Sequence, residues 1–192
     1  PQDLAFTARC DGSQQRYIEM LPQPFDAQSV HHVLIALHGH GSDRQQFATD
    51  KRGECQAARD AAAGRGMIYI SPDYRAKTSW MGPAAEADLA QLIAELRTRH
   101  KVGKVVLMGG SMGGTSALIF TSLHPDLVAG VVSLNGTANL IEYRNFSEAI
   151  AASYGGTREA KPEEYRKRSA ELNPQAFTMP IAFTVGGKDA TV

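Results

Sequence analysis

One serine in this sequence sits in a setting that favours nucleophilic chemistry. Gly109-Gly110-Ser111-Met112-Gly113 satisfies the spacing G-x-S-x-G. It follows a β-rich run and precedes an apolar stretch of helical character, which is the strand–turn–helix context of a nucleophile elbow. In such a turn the backbone is strained, and the glycines leave room for a crowded main chain while the serine hydroxyl stands above the sheet. A helix opening at Met112 also aims its unpaired N–H groups and positive dipole end at the same place, where an oxyanion would form. Ser111 is therefore the candidate catalytic nucleophile for acyl transfer.

Two further signals fall at the ends of other apolar runs. His38-Gly39-His40-Gly41-Ser42-Asp43 is a glycine-rich loop able to present a backbone N–H to the same site. The N–H groups of His40 and Met112 are the expected oxyanion hole. Gly41 and Trp80 are candidates for substrate contact, although a buried aromatic is as often core as ligand wall. His38 is expected to brace the loop by hydrogen bonding rather than to transfer protons. Gly186-Gly187-Lys188-Asp189 follows the last run. A carboxylate at Asp189 suits the acid that orients a catalytic histidine, and serine before aspartate is the chain order this chemistry takes in an α/β sheet.

These turns need rigid elements to hold them. Short, continuous β-rich runs at 33–37, 67–71, 104–108, 128–134 and 181–185 read as strands buried on both faces, and hence as a parallel sheet. Helical segments lie between them. Ala85, Leu89, Leu92, Ile93 and Leu96 recur at helical spacing after Pro83, 54–63 is alanine-rich, and 112–123 ends before His124-Pro125. Runs at 4–10 and 16–21, split by Asp11-Gly12, predict an antiparallel N-terminal hairpin. The expected fold is a doubly wound, mostly parallel sheet in a three-layer αβα sandwich, with ligands at the carboxyl ends of its strands. Residues 137–172 break the alternation and read as a helical insertion within one domain spanning 1–192. Its Tyr143, Phe146, Tyr154 and Tyr165 suit either a substrate cover or the packing of the insertion itself.

Composition removes several classes. A chain of 192 residues that is 43% apolar has the material to bury roughly 70% of its unfolded surface, so disorder is excluded. Twenty basic residues balance 20 acidic ones, leaving no electrostatic footprint for nucleic acid. The longest uncharged stretch, 105–123, carries five residues of the glycine-serine turn and is strand, turn and helix rather than a membrane span. Cys10 and Cys55 suit neither a metal site nor a disulfide framework, and whether they meet is open. No metal or cofactor is expected. The turn at 109–115 lacks the lysine of a phosphate loop and contains no G-x-G-x-x-G, which argues against nucleotide binding.

With these pieces in place, the chain resembles the α/β-hydrolase superfamily, in particular its prolyl-oligopeptidase-like and dienelactone-hydrolase-like esterase branches. Gly109 to Gly114 is similar to the serine motif of that branch. Ser169, Asn173-Pro174, Pro180 and the 186–192 segment are similar to its approach to the acid. The resemblance implies Ser111 as nucleophile and Asp189 as acid. Dienelactone hydrolases proper use cysteine, and the peptidases of the first branch carry a large preceding domain where only about thirty residues precede Val33. A small esterase acting on a small-molecule ester is the better fit, with a serine peptidase or a non-catalytic binding protein on the same scaffold as alternatives. The resemblance also implies a catalytic histidine one helix and one strand beyond the acid, whereas the sequence runs three residues past Asp189. The expectation is a C-terminally truncated hydrolase without its final strand. By itself such a chain retains only the residual ~10³ to 10⁴ over water that binding and oxyanion contacts supply.

Overall fold

The computed structural model describes residues 1–189. Its sheet has seven strands in the order β1-β2-β4-β3-β5-β6-β7. These are β1 (Gln2–Thr7), β2 (Gln14–Met20), β3 (His31–Leu37), β4 (Ile68–Pro72), β5 (Val102–Gly110), β6 (Gly130–Leu134) and β7 (Ile181–Thr184). The first two pair antiparallel, β2 meets β4 antiparallel, and β4, β3, β5, β6 and β7 run parallel. The expected hairpin and parallel sheet are both present. β1 begins two and ends three residues before the expected 4–10, and β2 begins two and ends one before 16–21, because the turn uses 8–13, with Gly12 at φ 77° and Asp11 accepting from Ser13. The run at 128–134 becomes a strand only from Gly130, since Pro125–Leu127 coils into a short 3-10 turn. Any strand past Val192, and residues 190–192 of the segment similar to the acid approach, lie outside the described residues.

Alternation along β3 shows how both sheet faces are covered. Val33, Ile35 and Leu37 point into a large core with Ile68, Ile70, Val105, Leu107 and Val131. Against that face pack α3 (Pro83–Arg99), through Leu89, Leu92, Ile93 and Leu96, and α4 (Met112–Leu123), through Ala117, Leu118 and Phe120. Leu34 and Ala36 point the other way, to a smaller core with Tyr69 and Met108. That face is covered by α1 (Gln45–Thr49) through Phe47 and by α2 (Gly53–Ala63) through Cys55, Ala58 and Ala62. This is the three-layer arrangement. Cys55 is buried there, Cys10 is exposed, and both thiols are free. Among the described residues, no helix is long and apolar enough to cross a membrane.

The connections define where a ligand can sit. From the end of β3 the chain departs to the α1–α2 face, and from the end of its neighbour β5 it departs to the α4 face. Two adjacent parallel strands whose connections leave in opposite directions open a crevice at their carboxyl ends. Ser111 and the 38–43 loop both lie at that crevice.

Residues 137–172 contribute α5 (Ser147–Tyr154) and α6 (Pro162–Lys167). Leu140, Tyr143, Ile150, Tyr154 and Tyr165 are buried in the large core, so these three tyrosines pack the segment, while Phe146 stays exposed. A buried ion cluster ties it down. Arg168, 1% exposed, reaches the Glu86 carboxylate of α3 at 2.7 Å, and His124 meets the same carboxylate at 3.0 Å. Burial pushes the Glu86 carboxyl up, but the hydrogen bonds from His124 and Arg168 outweigh it and hold the group at about 2.

Candidate active site

Ser111 is the hinge residue between β5 and α4, with φ 54° and ψ −120°. A non-glycine residue at positive φ is held there only when its surroundings over-determine it. Here the Ser111 N–H donates to Leu134 O at 2.8 Å, and its carbonyl accepts from Thr115 N–H at 3.0 Å. The glycines of the motif supply the rest. A Cβ on Gly109 would lie 2.3 Å from the Gly113 carbonyl carbon, and one on Gly113 would lie 2.0 Å from Leu37 O. The elbow thus packs backbone against backbone, first on itself and then on the end of β3. Gly110 differs, because its nearest neighbour to a Cβ would be Phe47 at 3.9 Å. Crowding therefore explains Gly109 and Gly113 of the motif but not Gly110.

The elbow opens into a cleft of about 900 Å³ lined by Gly39, His40, Gly41, Ser42, Gln46, Arg52, Glu54, Gly110, Ser111, Leu134, Asn135, Phe146 and Thr184. The serine motif and the loop after β3, separated by some seventy residues in sequence, share this cleft. Of the three amides at the start of that loop, Gly39 N–H donates to Gln46 Oε1 at 2.9 Å and Gly41 N–H to Lys77 O at 2.8 Å. The His40 N–H has no partner among the described residues. Met112 is the first residue of α4, whose opening N–H groups have no partner within the helix. Gly41 lies on the cleft wall at φ 80°, a conformation that favours glycine.

His38 is fully buried, its ring nitrogens 2.8 Å from Gly39 O and 3.1 Å from Asp73 O, and its ring is 4.5 Å from Tyr74. Burial pulls its pKa below the usual histidine value, against the two carbonyls that raise it. It braces the loop, as the sequence suggested.

Trp80 is placed differently from the substrate-contact expectation. It is 0% exposed and absent from the cleft wall. Its backbone N–H donates to Met112 Sδ at 3.4 Å, its carbonyl accepts from Tyr154 O–H at 3.0 Å, and its indole N–H donates to His40 Nδ1 at 3.0 Å. These bonds hold it at φ 41°. The aromatic on the wall is Phe146, 37% exposed, whose ring lies 4.4 Å from His40 and 5.3 Å from Trp80. Phe146 is thus the one of the four insertion aromatics named from the sequence that lines the cleft, whereas Gln46 and Asn135 had no assigned role there. Asn135 and Phe146 both sit at positive φ, and no local pattern announces that.

Asp189 lies five residues past the end of β7, at the carboxyl edge of the sheet, its N–H donating to Gly186 O at 2.9 Å. It does not line the cleft. Burial and, beside it, the Asp189 charge push the Tyr143 hydroxyl up, so the carboxylate is in the neighbourhood of the 137–172 segment. Ser169 and Asn173 serve the scaffold: Ser169 Oγ accepts from Leu140 N–H at 2.9 Å, and Asn173 Nδ2 donates to Ser122 Oγ at 3.0 Å.

Each of the six imidazoles has a structural partner. His31 meets Gly66 O and Asp26 O, His32 accepts from Lys104 N–H, His100 pairs with Glu19 and His124 with Glu86. His38 and His40 are engaged as described above. Among the described residues, no group of three His, Cys, Asp or Glu side chains is placed to hold a metal ion.

Comparison with known proteins places this architecture. An S-formylglutathione hydrolase from Staphylococcus aureus superposes with a TM-score of 0.74 at 16% identity, over 98% of this chain and 80% of that one. An S-formylglutathione hydrolase from Agrobacterium tumefaciens gives 0.75 at 14% identity, over 99% and 76%. The fluorophosphonate-binding serine hydrolase F of Staphylococcus aureus gives 0.71 at 17% identity, over 95% and 77%. Against longer proteins the chain spans only part, 27% of one peptidase-like chain and 30% of a puromycin hydrolase. At these identities the likeness is one of fold. Curated protein sequences give no match. The sequence model of the alpha/beta hydrolase fold matches residues 30–177, from the strand before the 38–43 loop to the approach of β7. The crevice between β3 and β5, with its serine on a strained elbow, therefore belongs to a member of the alpha/beta hydrolase fold family.

Proposed function

We propose that this protein is a serine hydrolase that cleaves a carboxylic ester through an acyl-enzyme on Ser111. The observation that carries the reading is the Ser111 elbow itself, at φ 54° and ψ −120° on the wall of a cleft it shares with the His40 loop. A strained serine between immovable glycines is costly to keep unless its hydroxyl is used. In the proposed reaction Ser111 Oγ attacks the ester carbonyl. The tetrahedral oxyanion accepts from His40 and Met112 N–H, and the alcohol leaves with a proton delivered by a histidine. Water then reverses the sequence and frees the acid. Asp189 orients that histidine. None of the six imidazoles of residues 1–189 is assigned that role, since each is engaged in a structural bond. No metal or cofactor enters the scheme.

An ester is taken as the substrate because Phe146 and Leu134 give the cleft an apolar side for an acyl group, next to Ser111. Rapid mixing of the full-length protein with p-nitrophenyl esters is expected to release about one equivalent of p-nitrophenol in a burst, absent in Ser111→Ala. Parallel assays with aminoacyl p-nitroanilides are expected to be slow. Turnover without a burst and unaffected by Ser111→Ala would exclude the mechanism, and faster anilide cleavage would make the protein a peptidase.

A further inference from the structure

The oxyanion role proposed above uses only the backbone of His40. Its side chain has a separate and more constrained environment. The Trp80 indole N–H is a donor only, so the nitrogen it reaches at 3.0 Å, His40 Nδ1, has to offer a lone pair. A neutral imidazole with Nδ1 as acceptor carries its proton on Nε2. Trp80 cannot easily turn away, because it is fully buried and bonded through its N–H, its carbonyl and its ring. Protonating the imidazole would set Nδ1–H against the indole N–H, and burial also disfavours the charged ring. No described group accepts from Nε2. The ring is packed between Trp80 at 5.9 Å and Phe146 at 4.4 Å, and His40 lies on the cleft wall with Ser111.

We propose that Trp80 locks His40 in the Nε2–H tautomer and that this ring donates a hydrogen bond to the substrate, favouring esters with an acceptor atom beside the scissile carbonyl. The position follows from the main chain: a residue whose amide meets the oxyanion has its side chain within one residue's reach of the carbonyl's neighbours. A nitrogen that already carries a proton cannot accept the one leaving Ser111, which is why His40 does not substitute for the base. Trp80 acts as a positioning residue through His40. The substrate preference rests on the hydrolase reading, whereas the tautomer does not.

Two measurements test the halves separately. In the ¹⁵N-labelled full-length protein, a long-range ¹H–¹⁵N correlation spectrum assigned with His40→Gln is expected to give His40 as Nε2–H at neutral pH, with both tautomers appearing in Trp80→Phe. Nδ1–H or a charged ring in the unmodified protein would overturn the proposal. The ratio of kcat/KM for p-nitrophenyl methoxyacetate over p-nitrophenyl butyrate is then compared between the parent and His40→Phe. It is expected to fall about 3- to 10-fold, the worth of one neutral hydrogen bond. An unchanged ratio overturns the donor role. Absence of any Ser111-dependent turnover would count against the hydrolase reading instead, and would leave the tautomer result standing.

Discussion

The turns after β5 and β3 meet at one cleft, and both are rich in glycine, yet the glycines answer to different physics. After β5 they are imposed by contact: Gly113 has Leu37 O where a methyl would go, and Gly109 has the Gly113 backbone. After β3 they are not crowded. Gly41 has open space around it and is set by its φ of 80°, while Gly39 would meet nothing nearer than Gly110 O at 3.5 Å. The first turn is a rigid joint locked into the core. The second is a loop whose shape depends on hydrogen bonds that its Gly39 and Gly41 amides donate to Gln46 Oε1 and Lys77 O. The nucleophile is thus placed by packing and the His40 amide by bonding, and the two should respond differently to substitution.

Gly113→Ala should have the largest effect, since the added carbon meets backbone that cannot rotate away. A loss above about 3 kcal/mol in denaturant unfolding, or failure to fold, is expected. If the variant folds with native stability, the rigid-joint description is wrong. Gly41→Ala should cost about 1–2 kcal/mol through its left-handed backbone alone, with Ser111 reactivity reduced but present. Ser111→Gly should raise stability by about 1 kcal/mol while abolishing turnover, because glycine relieves the strained conformation. A destabilised Ser111→Gly would mean that the serine side chain, rather than the neighbouring backbone, holds the elbow. Gly110→Ala should change stability by less than about 0.5 kcal/mol, as the space beside it is open. A large loss there would erase the distinction among the motif's glycines.

The central strands β3 and β4 were legible because they are buried on both faces, whereas β7, expected from its run to be buried likewise, is exposed along its length. Runs such as 33–37 and 67–71 occur where neither face meets water, and the α4 limits were visible in the serine turn and His124-Pro125. Ser111 was legible for the same reason: its turn joins two strongly patterned elements. The cleft wall was harder to read. Trp80 follows a strand as a pocket residue would, but three bonds to residues 32 to 74 positions away hold it in the core. Phe146 sits in a left-handed conformation between weakly patterned segments, and only the tertiary fold brings it to His40. The His40 amide was named from the loop pattern, but that Gln46 and Lys77 engage the amides on either side of it is something no motif marks. Local patterns report burial and turns well, and they are silent on which distant partner consumes a given donor.

The central claim is that Ser111 is an activated nucleophile, and a fluorophosphonate probe reads this directly, since it phosphonylates only serines made reactive by their surroundings. The full-length protein, treated with the probe, digested and mapped by mass spectrometry, is expected to carry one modification, on the peptide containing Ser111, and to lose it in Ser111→Ala. Folded full-length protein that stays unlabelled at Ser111 would contradict the account and leave a hydrolase scaffold put to a purpose other than acyl transfer.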